Sequence, residues 1–220
     1  MAQPTAWSFS RLDASETCPR KFWHLSVQKD LKEPESSYQI DGKNTHLAFA
    51  SYLRAGTNLP LHLRHHEPVL KQIAALPGEK VIEQQIALDS NWQVVDWFAK
   101  NAWVRVISDL TQLNEAAAVV WDWKTGKQKD DFTQLKLNAA ITMHLAPEVE
   151  SVKLCYYWTK TRSITTDTLS RDQLPEFWGG MLKRVQRYQE RFDKQDFPPN
   201  PNPFCKGCIV KTCQYYKERS

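Results

Sequence analysis

The sequence predicts an α/β fold, a mixed sheet covered by helices, and three observations carry that prediction. Three strand-like runs, "KVIEQQIALD", "AWVRVISDL" and "AAAVVWDWKT", follow one another near the middle of the chain. A helical stretch over 132–145 separates the last of them from a fourth, "SVKLCYYW", with "SITTDTL" as an edge beside it. A long amphipathic stretch over 173–194 then closes the order. Strands interleaved with helices bury both faces of a sheet.

Each element has its local signals. Ser10 is expected to cap a short helix reaching Cys18, and Asp41 a second over 42–54 that breaks at "AGTNLP". A weaker helix over 67–76 ends at Pro77-Gly78. Asp131 is expected to cap the helix over 132–145, which Ala146-Pro147 stops. Four prolines between Pro198 and Pro203 exclude helix and ladder, so this stretch is an extended strap carrying a Cys-rich tail. The expectation is one domain over 1–220: an N-terminal segment at 7–24, a core at 40–195, and the strap and tail at 196–220.

Composition narrows the function. Hydrophobic residues make up 41% and charged residues 25% of the 220-residue chain, ordinary values for a globular protein. No apolar run approaches the roughly 20 residues that span a bilayer, and the N-terminus lacks a basic-then-apolar signal. The expected location is therefore the cytoplasm, that of the host if the protein is viral, with no membrane partner. Residues 181–220 carry nine Lys/Arg against four Asp/Glu, a basic end that points to an acidic partner, nucleic acid first. A solvated helix face explains the same charge. The nine Trp read as core anchors.

The stretch "VVWDWKTGK" carries the chemistry. An apolar run over 116–121 leads into Asp122 and Lys124, which alternation puts on one face at the end of a buried strand. Asp109 ends the preceding strand. If the two strands are neighbours, their carboxylates converge, and a cation such as Mg²⁺ or Mn²⁺ relieves the repulsion. A lysine beside them can hold water or offset charge on phosphorus. A lone D-x-K is also a common structural ion pair. His46 shares the i, i+3, i+4, i+7 stripe of Phe49, Ala50 and Leu53 and so faces the core. Gln134 heads the stripe of Leu137, Ile141 and Leu145, with its amide inward. Glu83 in "VIEQQI" is a candidate for a further acid at the site, with a surface glutamate on an edge strand as the favoured reading.

The tail "CKGCIVKTC" brings Cys205, Cys208 and Cys213 together, a poor disulfide scaffold and a good metal site. Zn²⁺ and an iron–sulfur cluster both want a fourth thiolate, for which Cys18 in "TCPRKF" is the natural donor. Cys155, mid-strand, reads as a buried free thiol.

In order, "GKNTH", "VISD", "WDWKTGK" and "TQLKLNAA" resemble the RecB-like branch of the PD-(D/E)XK nuclease superfamily. The resemblance implies a restriction-endonuclease-like core with His46, Asp109 and Asp122 as metal ligands, Lys124 as the catalytic lysine and Gln134 as an active-site helper. Two positions depart from it: no Gly precedes Asp109, and Asn138 stands where the family has Tyr. The Cys before "PRKF" with the C-terminal triad is similar to the iron–sulfur members, which include the AddB nuclease and CRISPR adaptation nucleases. It implies a 4Fe–4S cluster on Cys18, Cys205, Cys208 and Cys213 that staples the chain ends, with Zn²⁺ as the competing occupant.

The implied activity is Mg²⁺- or Mn²⁺-dependent hydrolysis of DNA phosphodiesters, as an exonuclease on single-stranded ends in recombination, repair or phage replication. No P-loop is present, so any ATP motor would come from a helicase or recombination partner. Two other readings stand beside it: a non-catalytic DNA-binding module stapled by zinc or a cluster, and a thiol enzyme using Cys155 with His144.

Overall fold

A computed structural model describes residues 6–218. In chain order its elements are α1 (Phe9–Thr17), α2 (Pro19–Phe22), α3 (Ser37–Ala55), α4 (Glu67–Ala75), β1 (Glu79–Leu88), β2 (Val94–Val95), β3 (Val104–Asn114), β4 (Ala117–Lys124), α5 (Thr133–Leu145), β5 (Ser151–Trp158), β6 (Ser163–Ser170) and α6 (Leu174–Asp193). The strands form one six-stranded sheet in the order β2-β1-β3-β4-β5-β6. The mixed α/β architecture expected from the sequence is the one observed. No helix among the described residues is long and apolar enough to cross a membrane.

The chain gathers into two compact units. One comprises Glu35–Ile86 and Val106–Phe177. Here β3 and β4 form an antiparallel hairpin through a two-residue turn, with Asn114 opposite Ala117 and Glu115 left-handed at φ 49°. β4 then pairs in parallel with β5, and α5 supplies the crossover that parallel strands need. β6 returns antiparallel to β5 as the edge.

Alternation along β4 sorts the faces. Trp121 and Trp123 point into a core with Phe49 of α3, Leu70 of α4 and Tyr157. Burying each such ring contributes roughly 2–3 kcal/mol. Val120, Asp122 and Lys124 point the other way, towards α5, where Gln134 meets the last two. The one buried amide in the first core is satisfied: Gln112 donates to the Ile73 carbonyl at 3.0 Å and accepts from the Trp121 indole at 2.9 Å.

The second unit combines residues 6–34, Ala87–Arg105 and residues 178–218 of the described chain. Both chain regions meet in it. The Arg184 guanidinium forks onto the Glu16 carboxylate at 2.9 and 2.7 Å, and the Arg20 amide donates to the Pro198 carbonyl at 3.2 Å. Asn200 and Asn202 of the strap both donate to the Thr17 carbonyl, at 3.1 and 3.0 Å. Phe22 packs edge-on against Tyr188 and Phe192.

Several local expectations are corrected. Ser8, not Ser10, caps α1, its hydroxyl accepting from the Arg11 amide at 3.3 Å. Helix α3 starts at a Ser36–Gln39 capping box, so Asp41 lies inside the helix. Phe132, not Asp131, is the N-cap of α5, though the Asp131 carboxylate accepts from the Thr133 amide at 2.9 Å. β2 was not foreseen, and Asp109 lies in the middle of β3 and not at its end.

Candidate active site

All members of the acidic cluster belong to the Glu35–Ile86 and Val106–Phe177 unit. Helix α3 brings His46, whose Nδ1 lies 3.1 Å from Asp109 Oδ1. The β3–β4 ladder runs from Asn114–Ala117 to Leu110–Trp121. Beyond that pair the Asp109 side chain takes over a backbone role, Oδ2 accepting from the Trp123 amide at 2.7 Å. Both oxygens of this buried carboxylate are thereby fixed.

The neighbouring Asp122 is also buried and sits in a triangle. Lys124 Nζ lies 2.7 Å from Asp122 Oδ2 and donates to Gln134 Oε1 at 2.8 Å, while Gln134 Nε2 donates to Asp122 Oδ1 at 3.2 Å. The ammonium also stands over the Tyr156 ring, 5.1 Å from its centroid. Tyr156 in turn stacks on Phe132. Burial, then the charge of Asp122, pushes the Tyr156 hydroxyl well above its ordinary range, so it stays protonated. Asn138, at the position where the family carries Tyr, is buried and donates to the Ile107 carbonyl at 3.1 Å, a structural use.

The structure thus brings together His46 with Asp109, and Asp122 with Lys124 and Gln134. It also adds Glu83, against the expectation of a surface position. Glu83 is half-buried on β1, and its carboxylate lies with His46 and Asp109 so that one ligand atom from each falls within 4.8 Å of the others. A left-handed backbone at Glu83, φ 53°, breaks the period of the strand and aims the side chain here. The sequence signal available was an acid inside a strand-like run, "VIEQQI".

Electrostatics fits a cation. Burial first and Asp109 second raise the Asp122 carboxyl to about 6, against the opposing pull of Lys124. Burial and Asp109 likewise raise Glu83. At His46, burial lowers the pKa, but the hydrogen bond and charge of Asp109, with Asp122 and Glu83 behind, raise it on balance. Glu83 Oε1 is buried with no hydrogen-bond donor, and Asp122 Oδ2 is buried with the Lys124 ammonium 2.7 Å from it. Hard carboxylate oxygens beside one imidazole are the donor set that Mg²⁺ or Mn²⁺ accepts. Close by, Thr125 follows Lys124 out of the sheet, and a Cβ added at Gly42 of α3 would stand 3.2 Å from its Oγ1.

In the other unit, Cys18, Cys205, Cys208 and Cys213 line one small cavity with Lys21, Pro199 and Tyr216. All four are free thiols, and Cys205 Sγ accepts from the Asn202 amide at 3.5 Å. Cys155 is elsewhere, 1% exposed in β5, and burial raises its thiol to about 11. A thiol buried and held protonated in this way is poorly set up to act as a nucleophile, which counts against the thiol-enzyme reading.

A mixed α/β core carrying a buried acidic cluster, an imidazole and a lysine defines the class of divalent-metal nucleases. From residue 6 to residue 213 the sequence matches the PD-(D/E)XK nuclease superfamily, and the chain belongs to it. Among solved structures, SSO0001 is similar over 99% of this chain and 90% of its own, with a TM-score of 0.50 at 18% identity, a likeness of fold. A Eubacterium rectale protein described as a "Putative exonuclease" gives a TM-score of 0.48 at 10% identity, over 100% of this chain and 96% of that one. Among curated proteins none matches the sequence.

Proposed function

We propose that the protein is a deoxyribonuclease of the RecB-like branch, acting exonucleolytically on single-stranded DNA ends, with a 4Fe–4S cluster on its four clustered cysteines. The observation that carries the nuclease reading is the grouping of ligand atoms from His46, Glu83 and Asp109 within 4.8 Å of one another, with Glu83 Oε1 buried and without a donor and the buried Asp122–Lys124 pair in the same unit. His46, Glu83, Asp109 and Asp122 would hold the Mg²⁺ or Mn²⁺. When bound, the ion supplies charge to the scissile phosphate and acidifies a water. Asp109, pinned by the Trp123 amide, would offer its remaining lone pairs to the ion. Gln134 holds Lys124 and Asp122 in one plane of contact, so the ammonium is oriented before substrate arrives. There Lys124 orients the attacking water and offsets charge developing on phosphorus. Buried, closely spaced groups of this kind need no reorganisation during reaction.

For the tail, the cavity lined by all four thiols supports a shared inorganic occupant. The resemblance of Cys18 and the C-terminal triad to iron–sulfur nucleases favours a cluster over zinc, and its role would be structural. Recombination, repair or phage replication is the setting we infer, with the basic α6 contacting the strand and a helicase supplying ends.

The test is cleavage of end-labelled single-stranded and duplex DNA in Mn²⁺ by anaerobically purified protein. Ladders that grow from one end, on the single strand first, with Lys124→Ala inactive, support the reading. An intact substrate, bound equally well in Mg²⁺ or chelator, points instead to the non-catalytic binding module. Zinc without labile sulfide in the same preparation ends the cluster assignment.

A further inference from the structure

Helix α3 carries its core-facing stripe too far. His46, Phe49, Ala50 and Leu53 lie on one face, with Phe49 fully buried. Stepping back four residues at a time along that face reaches Gly42 and then Tyr38. At Gly42 the helix already touches the chain leaving β4, through Thr125. β4 ends at Lys124, so one turn further out Tyr38 has no sheet beneath it. Its ring is 75% exposed although it belongs to the inward stripe. The contact found for that ring is a cation, Lys160 Nζ, 5.5 Å from the centroid.

Lys160 is at this end of the sheet for a topological reason. β4 and β5 are parallel with Lys124 opposite Trp158, so the loops that follow both strands leave at the same end. Thr159 secures the second loop, its amide and hydroxyl donating to the Lys124 carbonyl at 2.9 and 3.3 Å. These loops carry four basic residues, Lys127, Lys129, Lys160 and Arg162, and two acids, Asp130 and Asp131, of which Asp131 is already bonded to the Thr133 amide. An exposed Phe98 elsewhere, at 82%, has no such setting.

We propose that Tyr38 is a stacking platform for a nucleobase of single-stranded DNA, with Lys160 steering the adjoining phosphate. The inference rests on the nuclease reading and narrows its substrate class. Eight residues of helix separate Tyr38 from His46, about 12 Å along the axis, so the platform takes a base a few nucleotides from the scissile phosphate. Every base offers a π-face, so such a platform tolerates sequence. A base in the interior of a duplex has both faces stacked on its neighbours and cannot lie on Tyr38. The platform therefore selects single strands near the end of the sheet where cleavage occurs.

The experiment measures binding of a fluorescein-labelled oligothymidylate, and of an equally long abasic strand, with Ca²⁺ in place of the catalytic ion. Wild type, Tyr38→Ala and Tyr38→Phe are compared, with helicity checked by circular dichroism. Tyr38→Ala is expected to lose about tenfold in affinity for oligothymidylate and nothing on the abasic strand, while Tyr38→Phe stays near wild type. Unchanged affinity of Tyr38→Ala, or an equal loss on both strands, overturns the platform. Cleavage by wild type in Mn²⁺ separates the two failures. A wild type that cuts DNA alongside an unaffected Tyr38→Ala removes the platform alone, and a wild type that neither binds nor cuts removes the nuclease reading with it.

Discussion

The acidic cluster and the thiol-lined cavity are both polar sites in one chain, but they are held in different ways. Asp109 is fixed by a strand amide and an imidazole, and Asp122, Lys124 and Gln134 fix one another. These bonds sit on strands of eight or more residues and helices of thirteen and nineteen. Around the cysteines there is a three-residue helical turn at Pro203–Cys205, an isolated bridge between Lys206 and Lys217, and a run of turn hydrogen bonds. The first site is built before any ion arrives. On the proposed reading, the second would take much of its order from an occupant shared by its four sulfurs.

That contrast is broken or sharpened by mutation. The largest effect is expected at the acidic cluster and on chemistry only. Asp122→Asn should cut DNA cleavage at least about a thousandfold. It should leave the melting temperature unchanged or raise it, because a buried carboxylate beside another destabilises the metal-free fold. A melting temperature lowered by many degrees would mean that Asp122 is structural.

Cys208→Ser should do the reverse. Cross-linking residues so distant in sequence confines the unfolded chain by about 4–5 kcal/mol on a loop-closure basis. The variant should lose iron and sulfide, and hydrogen exchange should speed up in the unit holding Cys18 and the tail before the unit holding β4. Cys155→Ser, buried in β5, should keep iron and sulfide in full. Uniformly faster exchange, or retained iron in Cys208→Ser, contradicts the contrast.

A smaller effect is expected with pH. Asp122 is raised to about 6, so its ionised form is the disfavoured one. The metal-free fold therefore gains from protonation as pH falls through 6, whereas bound metal needs the ionised carboxylate and is released. Protonation of His46, whose pKa is also raised, acts in the same direction. Mn²⁺ affinity should fall at least about tenfold between pH 7 and pH 5, read by titration calorimetry. A flat profile would place the metal elsewhere.

Gly42→Ala should be the mildest. Helix propensity favours Ala by about 1 kcal/mol, while the new Cβ, 3.2 Å from Thr125 Oγ1, asks that hydroxyl to give way. Stability should stay within about 1 kcal/mol of wild type. Cleavage should fall a few-fold as the chain after Lys124 shifts, measured as kcat on single-stranded DNA.

What the sequence revealed follows the same division. Asp122 and Lys124 were legible because an apolar run ending in Thr-Gly fixes both the strand and its alternation. His46 and Gln134 followed from helical stripes, although Leu145, assigned to the second stripe, is exposed. Glu83 was legible only as a secondary candidate, since its left-handed backbone defeats the alternation that would locate it. The start of α3 was legible but misread: Ser36 and Gln39 form a capping box five residues before Asp41. The convergence of four thiols on one cavity depends on turns and a proline-rich strap, for which periodicity offers no signal.

The most direct test of the central claim counts ions and cuts together. Mn²⁺ bound per chain is titrated for wild type and for Glu83→Gln/Asp109→Asn, with cleavage of end-labelled single-stranded DNA followed at each point. The account predicts that wild-type cleavage rises with occupancy and that the double variant neither binds the ion nor cuts while remaining folded. Full Mn²⁺ binding or undiminished cleavage by the double variant would contradict it.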